Sequence, residues 1–385
     1  MSLKAVDDSL FLEGGNMMDL KALKMTYVEL VVYILCVGLI YLGNLIWQIP
    51  LIQATLLTVN LIYIVAVNVL YSYHYCESKQ LKCSQGILFS LLLSLMFIYT
   101  DTNGDSLRLV LPALLVNMMG LELMAHLSDL KIEIKVIPAP VTQYMLQLVP
   151  ILALLIFLLF AIYFKNIYLE QLVFLFECML RFSSSLVGVL CITGLTCYYW
   201  YQGIHGVAMI GTFMRPLWMQ MIMVNFMAML SYQPLPYIGT EGFYQWFVWI
   251  GGSGATLGLV LACKLFCKSQ ILKALGKDAL KSSVFNINEQ VIFGLPIAQN
   301  RYLMIPFFVI PMMNVIVFYM LMASGVLSPT FLIAPWVLPT CIGAVLSTGN
   351  IASVIYILIS IVGSMVFCLP FILKYDHQLL EEERV

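Results

Sequence analysis

Apolar runs of about twenty residues recur along this chain, and they constrain its fold more than any motif. A helix needs that length to cross the ~30 Å hydrocarbon core of a bilayer. The runs lie near 26–47, 50–72, 85–99, 107–127, 142–165, 185–203, 207–230, 243–267, 302–323 and 351–373. Charged residues make up only 10% of the 385, against roughly 25% in soluble domains. The sequence therefore predicts an all-α polytopic membrane protein with about 9–10 transmembrane helices. A net charge of −1 gives no reason to expect nucleic acid as a partner. The ten cysteines lack metal or redox spacing: Cys263 and Cys267 share a helix face, but no histidine accompanies them. Most of the ten sit inside apolar segments and read as small apolar filler, and neither a metal nor a cofactor is expected. The start lacks a basic segment followed by a short apolar core, so no cleaved signal peptide is expected.

Several segments break the pattern. Residues 128–135 alternate charge with aliphatic side chains, suiting an interfacial strand or surface helix. Residues 168–183 carry Glu170, Glu177 and Arg181 and read as a half-helix or hairpin. Met214-Arg-Pro216 is expected to interrupt the span after Val207. Ile250–Gly258 holds four glycines. Close helix packing suits it better than a phosphate loop, because no Lys-Ser/Thr ending follows. Residues 264–281 carry five lysines against one aspartate, which places that loop in the cytoplasm.

The stretch 284–300 stands out: Asn286, Asn288, Glu289 and Gln290 open onto an apolar run broken by Gly294 and Pro296. It is too short to span and too polar to face lipid. Irregular polar backbone at membrane depth survives only where protein or a water-filled cavity covers it. An intramembrane carboxylate costs at least about 2.5 kcal/mol and is a functional candidate by default. The stretch reads as the floor of a polar solute site. Residues 324–350, with three prolines and three glycines, read as a second re-entrant segment. Broken segments of this kind point to a transporter's binding half. The chain accordingly divides into a helical scaffold, 1–165, a transport half, 166–375, and a cytoplasmic tail, 376–385.

Other candidates keep alternatives open. His205 sits between glycines at a span end, as an interfacial or a functional histidine. His74, His126 and His377 read as solvated. Arg215 and Arg301 either snorkel or pair with a carboxylate such as Glu289. Trp218, Trp246, Trp249 and Trp336 are belt anchors or sugar-stacking faces, with the belt favoured.

Several of these pieces agree with one family. The run Phe285-Asn-Ile-Asn-Glu-Gln-Val-Ile-Phe-Gly-Leu-Pro-Ile-Ala-Gln-Asn300 resembles the signature of the membrane IIC component of sugar phosphotransferase systems, in the lactose/cellobiose/diacetylchitobiose branch. Trp200-x-x-Gly-Ile-His-Gly206, Ile250-Gly-Gly-Ser-Gly-Ala-Thr-Leu257 and Leu272-Lys-Ala-Leu-Gly276 resemble it too. So do Pro138–Pro140, Pro216-Leu-Trp with Asn225, Pro335-Trp336 and Pro370-Phe371, together covering about 105–378. Gln290 and Arg301 stand where the family usually has proline, Arg215 where it tends to have asparagine, and Val337-Leu338 where it has two threonines.

The resemblance implies a IIC-like transporter fold with re-entrant hairpins in a bacterial plasma membrane. It implies a permease that binds a β-linked disaccharide of the cellobiose, lactose or diacetylchitobiose class and translocates it as it is phosphorylated. The donor would be a phosphocysteine on a separate cytosolic IIB protein, so this chain would hold the sugar without carrying the phosphoryl group. Glu289 and His205 would meet the reacting hydroxyl, and Asn288, Asn286, Gly206, Asn225, Trp336 and Gln290 would bind the sugar. A homodimer is also implied. The alternatives are a IIC-like sugar receptor or regulatory membrane protein, and an uncoupled sugar facilitator.

Overall fold

An apolar solvent leaves backbone groups no water to bind, so they must pair within the chain. The computed structural model shows this outcome: helices throughout, with no strand among the described residues. It describes residues 59–99, 106–128, 139–295, 297 and 301–382, with Ala22, Leu23, Met25, Thr26, Glu29 and Leu30. The sequence spans near 26–47 and the charge-alternating stretch therefore lie mostly outside the described residues.

Contacts divide the described chain into two units meeting at Glu177–Cys178. In the first unit, α1 (Val59–Ser78), α2 (Cys83–Tyr99) and α3 (Val110–Ser128, entered by a 3-10 turn at Ser106–Leu109) pack together. Tyr63, Tyr71, Phe89, Leu93 and Leu121 fill the space between them. A polar knot sits inside that packing. Asn117 accepts from the Ser90 hydroxyl at 2.8 Å and donates to the Asn68 carbonyl at 3.0 Å and to Ser72 Oγ at 3.2 Å. The Ser72 and Ser90 hydroxyls also touch each other. His74 is buried, not solvated, with Nε2 3.2 Å from a Glu29 carboxylate oxygen.

The long helix α4 (Ala139–Ser184) bends by 82° between Phe164 and Ile167. Its arms correspond to the span near 142–165 and the more charged half-helix after it. In the second unit follow α5 (Leu186–Tyr201) and α6 (Gly206–Leu230). A helical turn at Glu241–Phe243 then continues into a π turn, Tyr244–Val248. After a loop come α7 (Leu257–Phe266), α8 (Gln270–Val284), α9 (Glu289–Gly294), α10 (Arg301–Ala323), α11 (Thr340–Thr348) and α12 (Ala352–Glu382). Helix α12 packs on α7, α10 and α11.

Among the described residues four helices are long and apolar enough to cross a membrane, and a bent pair in α4 adds a fifth. Shorter apolar helices occur at Cys83–Tyr99, Leu186–Tyr201 and Leu257–Phe266. Pro216 does not interrupt its span: α6 runs through it, as membrane helices tolerate when neighbouring groups satisfy the freed carbonyl. The lysine-rich segment is a helix and not a loop. Leu272, Gly276, Ala279 and Ser283 of α8 are buried, while Lys273, Lys277 and Lys281 are exposed, four residues apart on one face. Gly276 lets α8 press on α7, since a Cβ there would lie 2.6 Å from the Lys264 nitrogen. Asp376 of α12 is buried and accepts from the Lys268 and Ser269 amides, each at 2.8 Å, just where α8 begins.

Candidate functional site

The glycine run is where the second unit stops being helical. Residues 249–256 form a buried series of turns in which Gly251, Gly252, Gly254 and Ala255 all have positive φ, between +54° and +99°. Glycine serves there because a side chain would meet both backbone strain and a wall. A Cβ on Gly252 would lie 2.4 Å from Asn288 Cγ, and one on Gly254 would lie 2.2 Å from the Phe307 ring. Packing of helix on helix, the sequence expectation, holds only at the end of the run, where Gly258 lies against the Ser364–Met365 backbone.

An irregular loop inside protein needs partners for its backbone groups, and the polar stretch supplies them. Asn286 Oδ1 accepts from the Gly251 amide at 2.8 Å and from the Thr340 hydroxyl at 2.6 Å. Asn288 donates through Nδ2 to the Ser253 carbonyl at 2.6 Å and to Thr256 Oγ1 at 3.0 Å. Thr256 in turn donates to the Gly251 carbonyl at 2.8 Å. Asn286 has φ +60°, a left-handed conformation that asparagine tolerates better than most residues. Glu289 follows at once as the first residue of α9, with its side chain exposed. Gln290 is also exposed, and its Oε1 accepts from the Ser282 hydroxyl at 3.3 Å.

The Trp200–Gly206 motif resolves into three jobs. Gly203, at φ +78°, ends α5 in a Schellman arrangement: its amide donates to the Trp200 carbonyl and the Ile204 amide to Tyr199. His205 then caps α6, its Nδ1 accepting from the Ala208 amide at 3.1 Å. Gly206 must lack a side chain, because a Cβ would lie 2.1 Å from the Thr196 carbonyl oxygen. The cap fixes the histidine's chemistry. A ring nitrogen that accepts a backbone N–H carries no proton, so the neutral imidazole holds its proton on Nε2. His205 is exposed and leans on Trp200, ring centroids 4.4 Å apart. Trp200 shares one buried apolar cluster with Ala255, Val291 and Ile292, so both motifs are built on the same core.

The remaining candidates separate. Asn225 is fully buried and ties backbone to backbone: it donates to the Tyr237 and Thr330 carbonyls at 2.6 and 2.8 Å and accepts from the Tyr237 amide at 3.0 Å. Trp336 is 61% exposed in a turn before α11. Trp218, Trp246 and Trp249 are buried in protein and are not belt anchors. Arg215 lies 3.8 Å from a Glu241 carboxylate oxygen, so its acidic neighbour is Glu241. The side chain of Arg301 lies outside the described residues. No cluster of three His, Cys, Asp or Glu side chains suited to a metal occurs among the described residues. Sequence reasoning missed Thr340, Ser253 and Thr256, whose groups complete the loop's hydrogen bonding. Thr340 had one local signal, its place directly after Pro339 at a helix start.

Residues 25–311 match the family described as phosphotransferase system, EIIC. A lichenan permease IIC component of Bacillus subtilis (strain 168) is 36% identical over 203 residues, 52% of this chain and 45% of that protein. An oligo-beta-mannoside-specific EIIC component of the same organism is 27% identical over 337 residues, 81% and 76% of the two chains. The chain spans about half the length of the first curated relatives it matches. The crystal structure of the transporter ChbC, the IIC component from the N,N'-diacetylchitobiose-specific phosphotransferase system, superposes with a TM-score of 0.74 at 23% identity. That match covers 96% of this chain and 94% of the other, and the two share a fold. The chain belongs to the phosphotransferase system EIIC family.

Proposed function

We propose that this chain is the sugar permease of a phosphotransferase system. It binds a β-linked disaccharide of the cellobiose, lactose or diacetylchitobiose class and translocates it with phosphorylation by a phosphocysteine IIB partner. The observation that carries this reading is Glu289: an exposed carboxylate one residue after Asn288 and three after Asn286, the two side chains that grip a buried, irregular loop. The names of the relatives, which specify lichenan, oligo-beta-mannosides and N,N'-diacetylchitobiose, support the substrate class.

The sugar's primary hydroxyl oxygen attacks phosphorus, the phosphorus–sulfur bond of the donor breaks, and the thiolate leaves. The hydroxyl proton passes to the Glu289 carboxylate. His205, with its proton on Nε2, donates a hydrogen bond to the same hydroxyl oxygen and orients it, leaving Glu289 as the proton acceptor. Gln290 and Trp336, both exposed, face the sugar. Asn225 contributes by holding the Tyr237 and Thr330 segments. Residues 1–165 serve as scaffold and pairing surface for a second copy, and 166–375 as the transport half.

Membrane vesicles bearing the chain, offered radiolabelled cellobiose, lactose or N,N'-diacetylchitobiose, test the reading. One of these sugars should accumulate as its phosphate only when phosphorylated IIB protein is supplied. Entry of free sugar at the same rate without IIB would replace this reading with an uncoupled facilitator.

A further inference from the structure

We propose that Asn286 is a positioning residue of the permease site: one amide oxygen fastens the glycine loop and the start of α11 to the strip that carries Glu289. This rests on the permease reading and assigns Asn286 a role other than sugar contact.

Three observations meet at this side chain. First, Gly251 N–H can only donate, which settles that the atom it meets is the amide oxygen and not the nitrogen. The Thr340 hydroxyl donates to that oxygen as well, so both of its lone pairs are used. The partners lie 35 and 54 residues away in sequence. Three separately made segments are therefore registered on one atom. Second, the left-handed backbone at Asn286 accompanies a chain path that returns Asn288 to the same loop, where it holds Ser253 and Thr256. The loop is gripped at both ends by residues immediately before Glu289. Third, the Nδ2 atom is buried and has no hydrogen-bond partner among the described residues. The side chain is used for its oxygen.

These points make aspartate the informative replacement. Asn286→Asp keeps the acceptor and tolerates positive φ; Asn286→Ala removes the acceptor and leaves the Gly251 amide and Thr340 hydroxyl without it. Misplacement by about 1 Å can cost on the order of a hundredfold in rate. With cellobiose and phosphorylated IIB protein in vesicles, Asn286→Ala should lower the maximal phosphorylation rate by about tenfold or more. The dissociation constant for cellobiose should stay within about threefold. Asn286→Asp should keep at least roughly a third of the rate. Thr340→Val, a gentler variant, should reduce the rate by about three- to fivefold. Its combination with Asn286→Ala should add little, because both remove one shared contact.

Two results would overturn the proposal: Asn286→Asp falling as far as alanine, or sugar affinity falling in step with rate, which would make Asn286 a sugar contact. Hydrogen exchange of the 249–256 segment provides a readout independent of sugar. It should quicken in Asn286→Ala and Thr340→Val and not in Asn286→Asp; unchanged exchange in the alanine variant also defeats the proposal. A wild-type chain that phosphorylates none of the three sugars defeats the permease reading instead, while the exchange comparison still decides the role of Asn286.

Discussion

Two regions of this molecule bury asparagine and hydroxyl side chains, and they use them differently. In the α1–α3 packing, Asn117 and Ser72 join regular helices whose backbones pair internally. There the polar side chains act as glue, worth about 0.6 kcal/mol each on average and at most about 1.7. In the 249–256 loop the backbone is irregular, and Asn286 and Asn288 complete hydrogen bonding that a helix would have supplied. Removing glue loosens a packing; removing a backbone's partner leaves a buried polar group exposed to nothing. The second arrangement is the more expensive one to keep, and it lies directly before the exposed carboxylate.

The largest break in this contrast should come from Gly254→Ala. Positive φ and a ring 2.2 Å away together should cost about 2–5 kcal/mol. Thermal denaturation of the detergent-solubilised protein would read it, and a wild-type midpoint would show that the loop is softer than its geometry implies.

Glu289→Gln keeps shape and hydrogen bonding while removing the basic oxygen. IIB-dependent phosphorylation should fall by about two orders of magnitude with only modest weakening of sugar binding. Equal loss of both would make Glu289 a binding residue, and no loss would remove it from the chemistry.

Asn225→Ala, which strips partners from Tyr237 and Thr330, should cost about 1–3 kcal/mol of stability. In the surviving folded protein the sugar's apparent KM should stay near wild type. A large rise in KM with stability intact would return Asn225 to the sugar.

The smallest effect belongs to the first region. Asn117→Ala should lower stability by no more than about 1.7 kcal/mol and leave the phosphorylation rate of folded protein unchanged. A rate loss there matching Asn286→Ala would erase the distinction between glue and positioning.

The helices were legible because lipid imposes a length and an apolar composition that cannot be disguised: α2, α5 and α10 fall close to the runs seen in sequence. The lysine-rich segment reads as a loop by charge alone, but its spacing is that of a helix. Lys273, Lys277 and Lys281 are four apart, with Leu272, Gly276 and Ala279 facing inward, which is a helical pattern. The glycine run was ambiguous for a physical reason. A missing Cβ permits both close helix contact and positive φ, and composition does not say which is used. Asn288 and Glu289 were visible as polar residues in an apolar context. Thr340 was not, since a threonine after proline is ordinary until Asn286 is seen beside it.

The carboxylate of Asp376 has a consequence for the order in which the molecule is made. It holds the amides of Lys268 and Ser269, 108 and 107 residues earlier in the chain. During synthesis α8 emerges, capped by its own Ser269 hydroxyl, long before the carboxylate that holds the turn leading into it exists. The strip after α8 that leads to Glu289 is thus seated on a helix whose anchor to α12 comes late. A chain terminated before residue 376 would lack the clasp on the Lys268 and Ser269 amides that anchors the entry to α8.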